Sequence, residues 1–180
     1  MEIKRKPARF FYFAYGPTMN PATMAQVCRG AVALGTAMLP GHELAFFGHS
    51  EVWDGAEKTL VRRPGAVAWG VVYQIASTDL DRLDLYQGVK LDGSGGYFHY
   101  PTEVFGADGQ RYEVLFYKRA MNGTPSLPST DYVARIIAGT EAHGLPNDYI
   151  DRLRRAPTRR ASYSVPLRRI GVVSEFSCAC

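Results

Sequence analysis

The hydrophobic pattern opens on an unbroken run, Phe10-Phe11-Tyr12-Phe13-Ala14-Tyr15, that ends abruptly in Gly16-Pro17-Thr18-Met19-Asn20-Pro21. An aromatic run of strand length bounded by Gly and Pro predicts a buried strand. The turn after it leads into a short helix over 22–28, with Asn20 as N-cap, Pro21 in the first position and Gly30 as the stop. Backbone N–H groups at such a turn point outward and form a natural cradle for an anion.

Apolar runs of strand length follow at 32–38, 43–47, 58–62 and 67–75, each broken by Gly or Pro, and they predict a β-rich middle. A helix over 78–84, with Ser77 or Thr78 as cap and acids in its first turn, delivers Gln87 and Gly88 at its end. The glycine-rich loop Asp92-Gly93-Ser94-Gly95-Gly96 leads to a strand over 97–100 and to a hairpin-like pair, 102–105 and 112–118, around Asp108-Gly109. Ser129 or Thr130 caps a helix over 131–139 whose Tyr132, Ile136 and Ile137 form an apolar stripe, and Gly144-Leu145-Pro146 turns into a last helix over 148–155.

The 180 residues fit one domain able to bury its own core, and 46% hydrophobic with 21% charged residues is ordinary for a globular protein. No apolar run approaches the length of a membrane span, so the expected address is cytoplasmic. Cys28, Cys178 and Cys180 form neither an even disulfide framework nor a tetrahedral zinc spacing; Cys28 reads as a buried helix residue. His42 and His49 meet no partner pattern, and no metal is expected. The net charge is +4, yet seven arginines and no acid fall between Arg152 and Arg169, which leaves the rest of the chain mildly acidic. This stretch lacks the aromatic interleaving of a single-strand groove, so nucleic acid is disfavoured and the reading is a solvated tail or an oligomer contact, such as that of a homodimer. The organisation expected is one domain over 1–155 with an arginine-rich C-terminal extension over 156–180.

Several segments match one family in order. They are Tyr12-Phe13-Ala14-Tyr15-Gly16, Trp53-Asp54-Gly55, Val67-Ala68-Trp69-Gly70-Val71-Val72-Tyr73, Leu83-Asp84, Gly88-Val89, Tyr97, Pro128-Ser129-Thr130-Asp131-Tyr132 and Gly144-Leu145-Pro146-Asn147-Asp148-Tyr149. As an ordered set over residues 10–155 this resembles the gamma-glutamylcyclotransferase family. The resemblance implies an α+β fold, a small mixed β-barrel flanked by helices, with a γ-glutamyl-type small molecule held at the barrel mouth and no cofactor. It also implies a reaction in which the substrate's α-amine attacks its own γ-carbonyl, releasing 5-oxoproline and a free amine. Holding the chain curled supplies much of that rate, and a carboxylate beside the reacting atoms moves the protons.

That carboxylate, a glutamate in the family, falls at Gln87, whose neutral amide neither accepts nor releases a proton at ordinary pH. A second departure lies in the turn, where the family's Tyr-Gly-Ser-Asn is Tyr15-Gly16-Pro17-Thr18. Pro17 brings no N–H, so the anion donors expected are the N–H groups of Gly16, Thr18 and Met19 and the Thr18 hydroxyl. The third is a longer loop over 90–96, which brings Asp92, with His99 close behind, as carriers onto which proton transfer could have moved. By resemblance Tyr15, Tyr97 and Tyr132 are aromatic walls or hydroxyl donors at the ligand. Asp54 and Glu57 are further carboxylates near the mouth, with Asp54-Gly55 also readable as a plain turn, and Asp84 reads as a loop brace. Three readings stay open: a related enzyme acting on a γ-glutamyl amine or small amide with relocated proton transfer, a binding protein that kept the pocket and lost turnover, or an otherwise active enzyme in which Gln87 is a deliberate or accidental replacement.

Overall fold

Side chains alternate between the two faces of a strand, so a strand apolar at every position must be covered on both sides. The computed structural model, which describes residues 9–167, shows why the first run is unbroken. In β1 (Arg9–Ala14), Phe13 packs with Ala37, Leu60, Val72 and Phe116, in a cluster drawn from all five strands, whereas Tyr12 and Ala14 pack with Tyr73, Tyr117 and Ile136 under the helices. Full burial of a side chain such as Phe13 contributes about 2–3 kcal/mol.

Five strands close a barrel in the order β1-β3-β2-β4-β5. β2 (Val32–Ser50) and β3 (Gly55–Ala76) form a long antiparallel ribbon, and β1 lies against β3 with Phe13 opposite Val72. β4 (Tyr97–Gly106) and β5 (Arg111–Arg119) form the expected hairpin. Two pairs, Ala37 with Gly106 and Met38 with Phe105, join β2 to β4, and a parallel bridge from Tyr12 to Leu115 closes the ring. The eight short segments expected therefore merge into five strands. Gly and Pro at Gly35 and Pro40-Gly41 stand where the β2–β3 register shifts, so they bend a continuous strand and do not end it.

The helices are α1 (Pro21–Val27), α2 (Ser77–Gln87), α3 (Thr130–Ala142) and α4 (Asn147–Arg154), near their predicted places. The α2 start differs from expectation: its cap position is Ala76, with no side-chain cap bond. The predicted Asn20 cap is present, its Oδ1 accepting from the N–H groups of Ala22 at 3.0 Å and Thr23 at 3.3 Å. Cys28 closes α1 and is buried. Among the described residues no helix is long and apolar enough to cross a membrane. Arg168, Arg169, Cys178 and Cys180 lie outside the described residues. Residues 156–167 are laid back on the body: the Arg159 N–H donates to Pro128 O, the Thr130 N–H to Arg159 O and the Leu167 N–H to Val52 O.

Candidate functional site

β1 runs out at Ala14, and a 3-10 turn over Pro17–Met19 carries the chain into α1. The turn uses two of the anion donors expected of it. The Met19 N–H donates to Gly16 O at 2.9 Å, and the fully buried Thr18 hydroxyl lies 2.7 Å from the Tyr12 hydroxyl. Met19 itself is fully buried. Two of the four groups expected to form the cradle are thus engaged internally, and a side chain of the protein crosses the turn. A Cβ on Gly16 would stand 2.0 Å from Cδ of Lys58, so only a glycine lets the Lys58 stem cross there.

Lys58 lies on β3, on the same strand face as Ala56 and Leu60, which are fully buried; Lys58 is 3% exposed. Its Nζ donates to Gln87 Oε1 at 3.1 Å and faces the rings of Tyr97, at 4.6 Å, and Tyr15, at 5.2 Å. Two tyrosines fix its backbone: the Tyr97 hydroxyl donates to Lys58 O at 2.6 Å, and the Lys58 N–H donates to the Tyr132 hydroxyl at 3.4 Å. The adjacent Glu57 carboxylate turns to Arg119 at 3.1 Å. Burial pushes the Lys58 amine down to about 8, with Glu57 opposing the shift and Arg119 adding to it.

Gln87 is the last residue of α2, which Gly88 ends in the left-handed conformation at φ 71°, its N–H donating to Asp84 O and Leu85 O. Its side chain is buried against Lys58, and Nε2 has no hydrogen-bond partner among the described residues. Pro17, Trp53, Lys58, Gln87, Tyr132 and Arg135 line one cavity of about 200 Å³. Trp53 packs on Tyr132 with centroids 4.7 Å apart, and Arg135 lies over the Trp53 ring at 5.6 Å. Chemically, the hollow offers a buried amine, an unpaired amide donor and a guanidinium at its wall.

The structure brings Gly16, Pro17, Tyr15, Tyr97, Tyr132 and Gln87 together around Lys58, and it does not bring Asp92 or His99 there. The exposed Asp92 carboxylate accepts from the Ser94 N–H at 2.9 Å and hydroxyl at 2.8 Å, bonds that hold it below the usual carboxylate range and make it a turn brace. His99 Nε2 lies 2.5 Å from Asp84 Oδ1, which also accepts from the Tyr117 hydroxyl at 2.6 Å. His99 and Asp84 line a separate depression whose wall also includes Tyr97. The Asp84 side chain thus ties α2 to β4 and β5, where a brace of its own loop was expected. Asp54 is the plain-turn alternative, at φ 46°, with Oδ2 accepting from the Ser162 N–H and hydroxyl at 2.6 Å each and Oδ1 from Arg159 at 3.2 Å. Glu57 does line the cavity.

Sequence reasoning missed Lys58, Arg135 and Pro166, which also line this cavity. One signal for Lys58 was present: period-two spacing puts the lysine on one strand face with Ala56 and Leu60, the face that barrel closure turns inward.

Residues 67–153 match the AIG2-like family. The bovine gamma-glutamylcyclotransferase is 32% identical over 149 residues, covering 80% of this chain and 77% of the relative. The human gamma-glutamylcyclotransferase is 30% identical over 149 residues, covering 81% and 77%. A solved structure of a gamma-glutamyl cyclotransferase superposes with a TM-score of 0.81 at 28% identity, over 88% of this chain and 94% of that one. By its ordered motifs, its barrel and these relatives, the chain belongs to the gamma-glutamylcyclotransferase family.

Proposed function

We propose that the protein acts, in the cytoplasm, on a γ-glutamyl amine or related small amide, closing it to 5-oxoproline and a free amine with proton transfer moved off residue 87. The observation that carries this reading is the shared hollow: the glycine turn, through Pro17, and the end of α2, through Gln87, line one cavity of about 200 Å³. A small polar ligand fits such a space. Curling a γ-glutamyl chain inside it sets the α-amine against the γ-carbonyl, and well-oriented ring closure of this kind reaches effective molarities on the order of 10⁵ M or more.

A second reading, a binding protein without turnover, is favoured by the carboxamide at position 87, which can hold a ligand and cannot carry its protons. The test is incubation with a panel of γ-glutamyl amines and dipeptides, measuring 5-oxoproline and released amine for the wild type and for Gln87→Glu. Equal release of both products by the wild type is expected. Ligand binding with turnover only in Gln87→Glu would favour the binder. Asp92→Asn and His99→Gln should leave turnover within about twofold, since neither group reaches the cavity.

A further inference from the structure

Lys58 and Gln87 form a matched pair. An ammonium can only donate, so the carboxamide presents Oε1 to Nζ, and this leaves Nε2 aimed away from the lysine with no partner among the described residues. Gln87 is 8% exposed and lines the cavity, so its unpaired donor is buried in the wall of the space a ligand would enter. Buried donors are rarely left unmade without a role. Lys58 is equally unusual, because its neighbour Glu57 is committed to Arg119 and the lysine head has an amide oxygen and two aromatic faces for company.

We propose that these two side chains divide the chemistry of the ring closure, the Lys58 amine carrying the protons and the Gln87 Nε2–H group holding the oxygen of the γ-carbonyl as it becomes an oxyanion. The inference rests on the cyclotransferase reading above. The two heads of one carboxamide share a single carbon, so a carbonyl oxygen bound to Nε2 stands one amide width from the oxygen that holds Nζ, and the attacking amine turns toward the lysine.

The steps balance. Neutral Lys58 takes one proton from the substrate's α-ammonium, and the freed amine attacks the γ-carbonyl carbon, forming the ring C–N bond while the carbonyl oxygen becomes an anion on Nε2–H. The Lys58 ammonium then gives its proton to the departing nitrogen, the old C–N bond breaks and the carbonyl re-forms. Lys58, neutral again, takes the remaining extra proton from the ring nitrogen and passes it to the free amine, which leaves as an ammonium. Nothing is oxidised or reduced.

The groups facing Lys58 leave it free for this task. Tyr15 after β1, Tyr97 on β4 and Tyr132 on α3 are held well above their ordinary value by burial, and Tyr86 on α2 is pushed up to about 12. Glu57 on β3 is paired with Arg119 on β5, and Arg135 on α3 is permanently charged. Burial brings the Lys58 amine down to about 8, close to where a general base works best.

The test is the pH dependence of kcat/KM for 5-oxoproline release by the wild type, Lys58→Met, Lys58→Arg, Gln87→Met and the double variant Lys58→Met with Gln87→Glu. The wild-type rate should rise with pH to a plateau above about 8. Lys58→Met should lose about 10²–10⁴-fold in kcat, and Lys58→Arg as much, although it keeps the charge. Gln87→Met should lose about 10²–10³-fold in kcat with KM little changed. The double variant should recover turnover with its rising limb moved to the acid side. Thermal melting and calorimetric ligand binding check that each variant folds. On the wild type alone, NMR titration of the Lys58 ζ-nitrogen should give the same midpoint as the kinetic limb, and an amine still protonated above that limb overturns the proposal. Turnover that survives Lys58→Met overturns it too while leaving the cyclotransferase reading intact. No turnover by the wild type on any γ-glutamyl amine overturns both.

Discussion

At the scale of single residues the decisive fact is a buried amine that, among the described residues, is bonded to an amide oxygen and to no carboxylate. Lys58 holds its proton to a pH of about 8 in the folded protein and to its ordinary 10.5 in the unfolded chain. Between those values the unfolded state binds more protons, so this group adds stability as pH rises from about 8 to 10.5; below 8 its full cost is present, about 3 kcal/mol at 1.36 kcal/mol per unit. Lys58→Met keeps the stem that crosses Gly16 and removes the charge. Urea denaturation should therefore find the variant more stable than the wild type at pH 7, by up to about 3 kcal/mol, with the gap narrowing to about 1 kcal/mol by pH 10. A gap that does not change with pH would refute the burial of a titrating amine here. The same residue shows what was hard to read: a lone lysine in a strand normally marks a solvent face, and only the closed barrel makes the face of Ala56 and Leu60 an interior one.

Among the elements, the helices and the β4–β5 hairpin were legible because caps, apolar stripes and Asp-Gly turns are local signals. The long strands were not. Gly and Pro punctuate most sequences, yet in β2 they bend a strand that must wrap a small barrel, and no local signal distinguishes a bend from an end. Position 87 was legible because Gly88 stops α2, whereas its lysine partner comes from β3, 29 residues away. Element contacts also show how the turn after β1 is held in place. A Cβ on Gly139 of α3 would lie 2.6 Å from the Asn20 backbone nitrogen and 2.7 Å from Met19 Cβ, so α3 sits directly on the turn. Gly139→Ala cannot be absorbed by a flexible side-chain tip and must push the helix off the turn. We expect a loss of about 1–3 kcal/mol, in spite of alanine's better helix propensity, together with weaker ligand binding. Chemical denaturation beside calorimetry measures both, and a variant as stable as the wild type would mean that α3 does not bear on the turn.

On the scale of the whole molecule, barrel closure gathers Tyr15, Lys58, Tyr97 and Gln87 from separate parts of the chain, and the last described segment finishes the enclosure. Residues 156–167 run back across the body, and Pro166 forms part of the cavity wall. Asp54 is the anchor of this strap, taking the Ser162 N–H and hydroxyl on one oxygen and Arg159 on the other; the Ser162 bonds, then the Arg159 guanidinium, hold its carboxyl below the usual carboxylate range. A carboxyl lowered in this way grips the strap at any pH above its unfolded value and lets go as pH falls through the lowered one, so at neutral pH the anchor is fully made. Asp54→Ala should free the strap without touching Lys58 or Gln87. Trypsin reads the difference directly, because Arg159 and Arg160 lie within the strap and Arg159 is bonded into the body through its backbone N–H and carbonyl. Cleavage after these arginines should be at least several-fold faster in Asp54→Ala than in the wild type. Affinity for a γ-glutamyl ligand should fall in parallel as the Pro166 wall is lost. If the two proteins are cut at the same rate and bind alike, the strap is not held by Asp54, and the enclosure of the cavity must come from the barrel and helices alone.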